Sequence, residues 1–128
     1  MKIQSITSNS VVYTYDSLKE YLTNVFVIET SSKVFVVDTF CGSKSMEPIL
    51  NRINTHYKSK EIIVINTHFH WDHVWGNVSF KGHDIISHEL CRKLLEEQWE
   101  TQLESNQQFI EGSAEKCLPN LTFKDKLI

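Results

Sequence analysis

Three histidines and one aspartate lie within six consecutive positions, and all four are residue types that bind metal ions. Neutral imidazole nitrogens and carboxylate oxygens are the usual protein ligands of zinc. Two histidines spaced two apart point to the same side of an extended segment, so they can converge on one ion. If the chain then turns into a helix, the aspartate and the last histidine face a second position nearby. The segment is His68-Phe69-His70-Trp71-Asp72-His73.

Such a cluster predicts hydrolytic chemistry. A water molecule held between two divalent ions would lose a proton near neutral pH, because metal binding lowers its pKa from 15.7 to about 7. The resulting hydroxide is a nucleophile. We therefore predict a metal-dependent hydrolase that uses up to two zinc ions. His68, His70, Asp72 and His73 are the predicted metal ligands, and Asp72 is also the predicted catalytic residue.

The predicted elements place this cluster at the edge of a β-sheet. Val34 to Val37 and Ile62 to Ile65 are apolar on both faces, as expected of inner strands. The amphipathic segment between them predicts a helix with Ser45 as its N-cap. The cluster then follows the second inner strand, where open α/β sheets place their ligands. Strands are predicted at residues 2–7, 10–15, 22–30, 34–39, 61–66, 84–88 and 121–128, and helices at 45–57 and 89–110.

These residues resemble the metallo-β-lactamase fold, whose signature is Thr-His-x-His-x-Asp-His after an inner strand. The resemblance also covers the two strands around Ser31-Ser32-Lys33, the dipeptide Gly76-Asn77 and the strand at 84–88. It implies an α/β fold in which a mixed sheet with flanking helices forms half of an αββα sandwich, with residues 1–128 as a single domain. It also implies that His68 and His70 bind the first metal, and Asp72 and His73 the second.

The sequence departs from that family in its last third. The family completes its two sites with later histidines and a bridging aspartate, but residues 89–128 contain no histidine, and their only aspartate is Asp125. Each metal position is left with two ligands, whereas zinc sites normally have three or four from the protein. The expectation is a truncated domain with weakly bound metal.

Composition limits the remaining function classes. A net charge of −3 over 128 residues, without a basic stripe, argues against direct binding of nucleic acid. The first residues lack an apolar signal core, and no run approaches the length of a membrane span. Three widely spaced cysteines argue against a disulfide framework. We expect a cytoplasmic protein that acts on a small-molecule substrate if it is active.

Several residues near the cluster have two interpretations. Asp38 could orient a metal ligand or cap the following loop. Cys41 could be a reactive thiol, but a small apolar loop residue is the favoured interpretation. His88 is expected to be an ordinary interfacial histidine. Phe69 and Trp71 alternate with the predicted ligands, so they should point away from the metals into packing.

Two function classes remain open: a metal-dependent hydrolase, and an inactive metal-binding or oligomerising module. A half-sandwich would leave one apolar face of the sheet bare, and such faces are rarely left in water. We therefore expect a homo-oligomer, most simply a twofold dimer. Candidates for the buried surface are Val25, Val27, Val34, Val36, Ile63 and Ile65, and the sequence leaves open which of them face inward.

Overall fold

A computed structural model describes residues 1–128 and contains one seven-stranded sheet whose strand order follows the chain. The first four strands are antiparallel neighbours, and the fourth to seventh are parallel. The predicted α/β fold with a mixed sheet is confirmed, with β4 and β5 at its centre. The strands are β1 (Lys2–Thr7), β2 (Ser10–Tyr15), β3 (Thr23–Glu29), β4 (Lys33–Val37), β5 (Glu61–Ile65), β6 (Asp84–His88) and β7 (Leu121–Phe123).

Helices connect the parallel strands. Because parallel crossovers are right-handed and these strands are added in one direction, the connections all lie on the same face of the sheet. None of the helices is both long enough and apolar enough to cross a lipid bilayer. The helices are α1 (Ser43–His56), α2 (Trp71–Val74) and α3 (Glu89–Asn106), with 3₁₀ turns at Trp75–Phe80 and Gln107–Phe109.

The hydrophobic core lies between the sheet and these helices. Val25, Val27, Val34 and Val36 are at most 1% exposed and belong to one cluster with side chains from all the long connections. Alternation along each strand sends every second side chain to this face. The helical members of the cluster include Met46, Ile49, Ile53, Trp75, Phe80, Leu95 and Trp99.

The opposite face of the sheet is apolar and carries no helix. Its side chains lie outside the core cluster. Phe26 is 38% exposed, whereas Val12, Ile63 and Ile86 are at most 8% exposed. The register places neighbours on adjacent strands side by side, so that Phe35 lies between Ile28 and Ile63. We call this surface the bare face. It comprises Val12, Phe26, Ile28, Phe35, Val37, Ile63, Ile65 and Ile86.

The predicted start of the first helix is wrong. Helix α1 begins at Ser43, and Gly42 occupies the N-cap position. The backbone N–H groups of Ser43 and Lys44 donate to the carbonyls of Ser113 and Glu111, so a distant loop satisfies the first turn. Ser45 lies inside the helix, and its buried hydroxyl has no hydrogen-bond partner.

Two further boundaries differ from the prediction. The final strand ends at Phe123, because only Leu121–Phe123 pairs with β6. Helix α3 ends at Asn106, and a 3₁₀ turn follows it.

Candidate metal centre

The histidine-rich segment occupies the sheet edge at the carboxyl end of β5. Residues 66–70 follow the strand, and the short helix α2 begins at Trp71. His70 has an extended backbone, with φ −63° and ψ 143°, and the chain turns immediately after it. The turn lets ligands before and after position 71 face the same region.

Three imidazole rings lie together at this edge. The ring centroid of His68 is 4.8 Å from that of His70 and 4.1 Å from that of His73. His73 Nε2 lies 3.2 Å from Asp72 Oδ2. All four predicted ligands therefore meet in one small region, with His70 exposed and Asp72 buried.

The Asp38 carboxylate forms three hydrogen bonds within this group. Its Oδ1 accepts the backbone N–H of Thr67 at 2.7 Å, and its Oδ2 accepts the Thr67 hydroxyl at 2.7 Å. The same Oδ2 lies 2.9 Å from His73 Nδ1. Asp38 has a φ of 63°, a left-handed conformation that is uncommon for residues other than glycine. The sequence left two interpretations of Asp38, as a residue that orients a metal ligand or as a cap for the following loop. These contacts support the first.

These contacts determine which nitrogen each histidine can offer to a metal. The single Thr67 proton goes to Asp38, so His68 Nδ1 must donate to Thr67 Oγ1, 2.9 Å away. His73 Nδ1 donates to Asp38 in the same way. Nε2 is consequently the nitrogen that each ring has left for a metal, and Nε2 of His73, which lies 3.2 Å from Asp72 Oδ2, must lose its proton before it can bind one.

Asp38 itself is less suited to binding a metal. Ligand atoms of Asp38, His68 and His73 lie within 4.8 Å of one another, which is compatible with a shared ion. However, both Asp38 oxygens already accept hydrogen bonds, and Oδ2 accepts two. We therefore assign Asp38 to the support of His68 and His73.

Sequence reasoning did not identify Thr23. This residue begins β3, is 1% exposed, and donates from Oγ1 to Asp72 Oδ2 at 2.7 Å. The contact joins positions 49 residues apart. No local pattern could reveal it, because it depends on how the hairpin of β2 and β3 sits against α2.

Buried polar side chains next to the histidine-rich segment form a hydrogen-bond network. The side-chain amides of Asn66 and Asn77 exchange hydrogen bonds at 3.0 and 2.8 Å, and Thr39 Oγ1 donates to Asn77 Oδ1. Gly76 packs so closely that a Cβ would come within 2.7 Å of the Thr39 side chain. The network fixes the loop after β4 against the 3₁₀ turn that follows α2.

Other candidate residues have structural roles or lie apart. Cys41 is fully buried, and burial raises the pKa of its thiol, so the favoured interpretation as a small packing residue agrees with the structure. His88 caps α3 by accepting the N–H of Leu90. His56 and His83 are exposed and lie outside the cluster. Phe69 and Trp71 pack with the core, as expected.

The donor set fits a divalent metal of zinc type. Three imidazole rings and one carboxylate lie together at this edge, and hydrogen bonds through Nδ1 orient two of the imidazoles. Zinc binds imidazole nitrogens and carboxylate oxygens. Histidines that bind metals usually form a hydrogen bond through their other ring nitrogen. The residues that could hold the metal are His68, His70, Asp72 and His73.

We expect the stability of the protein without metal to depend on the protonation of His73. Burial acts to lower the pKa of His73, but hydrogen bonds to Asp38 and Asp72 outweigh it and raise the pKa to about 9. A raised pKa contributes stability that is complete below the unfolded value near 6.5 and is lost as pH rises through 9. In the presence of a chelator, urea unfolding should show a loss on the order of 2 kcal/mol between pH 6.5 and 9.5.

The variant His73→Gln is the control for that pH dependence. Glutamine cannot carry the proton, so its stability should change much less over the same range. Equal slopes for the two proteins would show that His73 is not the titrating group.

Comparison with known proteins gives a family and a fold. The sequence profile of the metallo-beta-lactamase superfamily matches residues 18–126. Among 189 matching solved chains, a metallo-beta-lactamase from Pontibacter korlensis superposes with a TM-score of 0.67 at 22% sequence identity. The match covers 95% of this chain and 52% of that one, so this chain spans about half the length of the solved protein. A search of curated proteins gives no match.

Proposed function

The chain belongs to the metallo-beta-lactamase superfamily, and on that premise we propose that it supplies metal-binding residues of a zinc-dependent hydrolase. The observation that carries the proposal is that three imidazole rings and one carboxylate lie together at one sheet edge. Up to two zinc ions are proposed, with His68 and His70 serving one and Asp72 and His73 the other. Remaining ligands would come from residues outside this sequence.

Each residue of the centre has a proposed role. His68 and His73 present Nε2 because Thr67 and Asp38 engage their Nδ1 atoms. His70 is exposed and free to adjust its ring to an ion. Asp72 is held by Thr23 and would bind metal and orient the attacking nucleophile. Asp38 keeps the centre assembled by linking Thr67 and His73.

When bound, divalent ions supply an activated water molecule and polarise the bond under attack. Hydrogen bonds with Thr67, Asp38 and Thr23 orient three of the four proposed ligands before any ion arrives, which reduces the cost of ordering them. The proposed substrates are small molecules with an ester, thioester, lactone, amide or phosphodiester bond. The choice among them depends on elements over the metals, because a shared fold hosts many reactions.

The experiment is a metal titration followed by an activity panel. Co²⁺ should give a visible absorption spectrum when it binds the purified chain, and Zn²⁺ should displace it. Once the remaining ligands are supplied, hydrolysis of one of the five bond classes should depend on added Zn²⁺ and disappear with a chelator. Asp72→Asn should lower the rate by at least about 100-fold, the scale of losing one group that acts in the transition state. A protein that binds no Co²⁺ would refute the proposal.

A second candidate function is a self-associating metal-binding module without activity of its own. The bare face favours it, because a contiguous apolar surface of this kind is uncommon on a monomer. We propose a twofold homodimer in which the bare face of one copy covers that of the other. A cytoplasmic location and the absence of a nucleic-acid partner stay predictions.

A further inference from the structure

Thr23 contacts the proposed metal-binding aspartate from a distant part of the chain. Its Oγ1 lies 2.7 Å from Asp72 Oδ2, and both residues are buried, with exposed fractions of 1% and 6%. A carboxylate accepts hydrogen bonds and cannot donate one when ionised, so the threonine hydroxyl is the donor. This is a short, buried hydrogen bond to a charged group.

The topology explains why a residue so early in the sequence reaches the centre. Strand β3 runs antiparallel to β4, so its first residue lies at the same edge as the carboxyl ends of β4 and β5. Thr23 also pairs with Tyr15 across the β2–β3 hairpin, which fixes its backbone. The hydroxyl is therefore held by the sheet and not by a mobile loop.

The contact restricts a side chain that would otherwise rotate. Asp72 lies in α2, a helix of only four residues, and its carboxylate has no other hydrogen bond from outside that helix. Its Oδ2 also faces His73 Nε2 at 3.2 Å. Loss of the Thr23 contact would leave His73 as the only side chain that holds the carboxylate, which could then turn toward solvent.

We propose that Thr23 is a positioning residue that holds the Asp72 carboxylate in its metal-binding orientation. The inference rests on the proposed function, because it concerns the same centre. Outer contacts of this kind typically change metal affinity by about 10- to 100-fold when removed. The hydroxyl, and not the volume of the side chain, is the part that matters.

The test compares two substitutions at this position by Co²⁺ titration. Thr23→Val keeps the shape and removes the hydroxyl, and it should weaken Co²⁺ binding about 10-fold and alter the visible spectrum of the bound ion. Thr23→Ser keeps the hydroxyl and should bind Co²⁺ nearly as the unchanged protein does. Thr23→Ala replaces Thr23→Val in the comparison if the valine variant does not fold.

Thr14→Val is the matched control. Thr14 lies in the same hairpin, and its hydroxyl donates to Asn24 at 2.8 Å, away from the centre. This variant should leave Co²⁺ affinity unchanged. Urea unfolding of every variant with a chelator present separates a loss of stability from a loss of affinity.

The outcomes are distinct. Equal Co²⁺ affinity for the unchanged protein and Thr23→Val would overturn the positioning role and leave the proposed function standing, even if the variant were less stable. An equal loss in Thr23→Ser and Thr23→Val would also overturn it. Failure of the unchanged protein to bind Co²⁺ would overturn both the inference and the proposed function.

Discussion

Replacing His68 and His70 together by alanine should abolish measurable Co²⁺ binding, with a loss of affinity of at least about 100-fold. Each imidazole contributes a direct metal bond, and a chain that offers few ligands per ion has no substitute for them. His70 is exposed and His68 is only half-buried, so the substitutions should leave the fold intact. The measurement is a Co²⁺ titration followed by absorption, with circular dichroism to check folding.

The control removes the same number of imidazoles elsewhere. His56 and His83 are exposed and lie outside the cluster, so His56→Ala with His83→Ala should bind Co²⁺ like the unchanged protein. If both double variants lost binding equally, the metal would be held by scattered surface histidines. The proposed centre would then be wrong.

A single lysine on the bare face should convert a dimer into a monomer. Phe35 lies in β4, between Ile28 and Ile63 on the neighbouring strands, so Phe35→Lys would place a charge in the middle of the proposed dimer interface. Burying an unpaired charge costs several kcal/mol, and a loss of that size should dissociate a dimer with a modest interface. Light scattering should give twice 14.9 kDa for the unchanged chain and 14.9 kDa for the variant.

The dimensions of the sheet are compatible with this interface. Strands lie about 4.8 Å apart and rise about 3.3 Å per residue, so five strands of five residues cover roughly 400 Å² in projection. Side chains raise the accessible area above that value, toward the ~800 Å² per partner of ordinary interfaces. The charges at one end of this surface are already paired within the chain, as Lys33 with Glu61.

Leu90→Lys is the control for the dimer experiment. Leu90 is 54% exposed at the start of α3, on the helical side of the sheet, so a charge there should leave the mass unchanged. A monomer at every concentration of the unchanged chain would refute the dimer. Dissociation by Leu90→Lys and not by Phe35→Lys would place the interface on the helical side.

Local patterns were sufficient for most of the fold. The apolar runs at Val34–Val37 and Ile62–Ile65 have the length of inner strands. The helical periodicity between them predicts an amphipathic helix that connects the two strands. The boundaries were less accurate where distant backbone decides them. Helix α1 starts at Ser43 because Glu111 and Ser113 accept its first N–H groups, and nothing near Ser43 in the sequence indicates that.

The six residues predicted for the dimer interface also show what local patterns determine and what they leave open. All six were recognised as buried strand residues, but four of them face the helices, and only Ile63 and Ile65 face the other side. Alternation fixes which residues share a face. Which face receives the helices follows from the handedness of the crossovers, and that is a property of the assembled sheet.

The sequence by itself determined which residue types form the proposed centre. The four proposed ligands lie within six positions, so a turn directly after a strand brings them together: His68, His70, Asp72 and His73. Only the tertiary structure decided how they are held. Asp38 and Thr23 reach the centre across 35 and 49 residues, through hydrogen bonds to His73 and Asp72. Such contacts depend on the pairing of β3, β4 and β5, because a hydrogen bond requires its partners within about 3 Å and spacing along the chain does not report that distance.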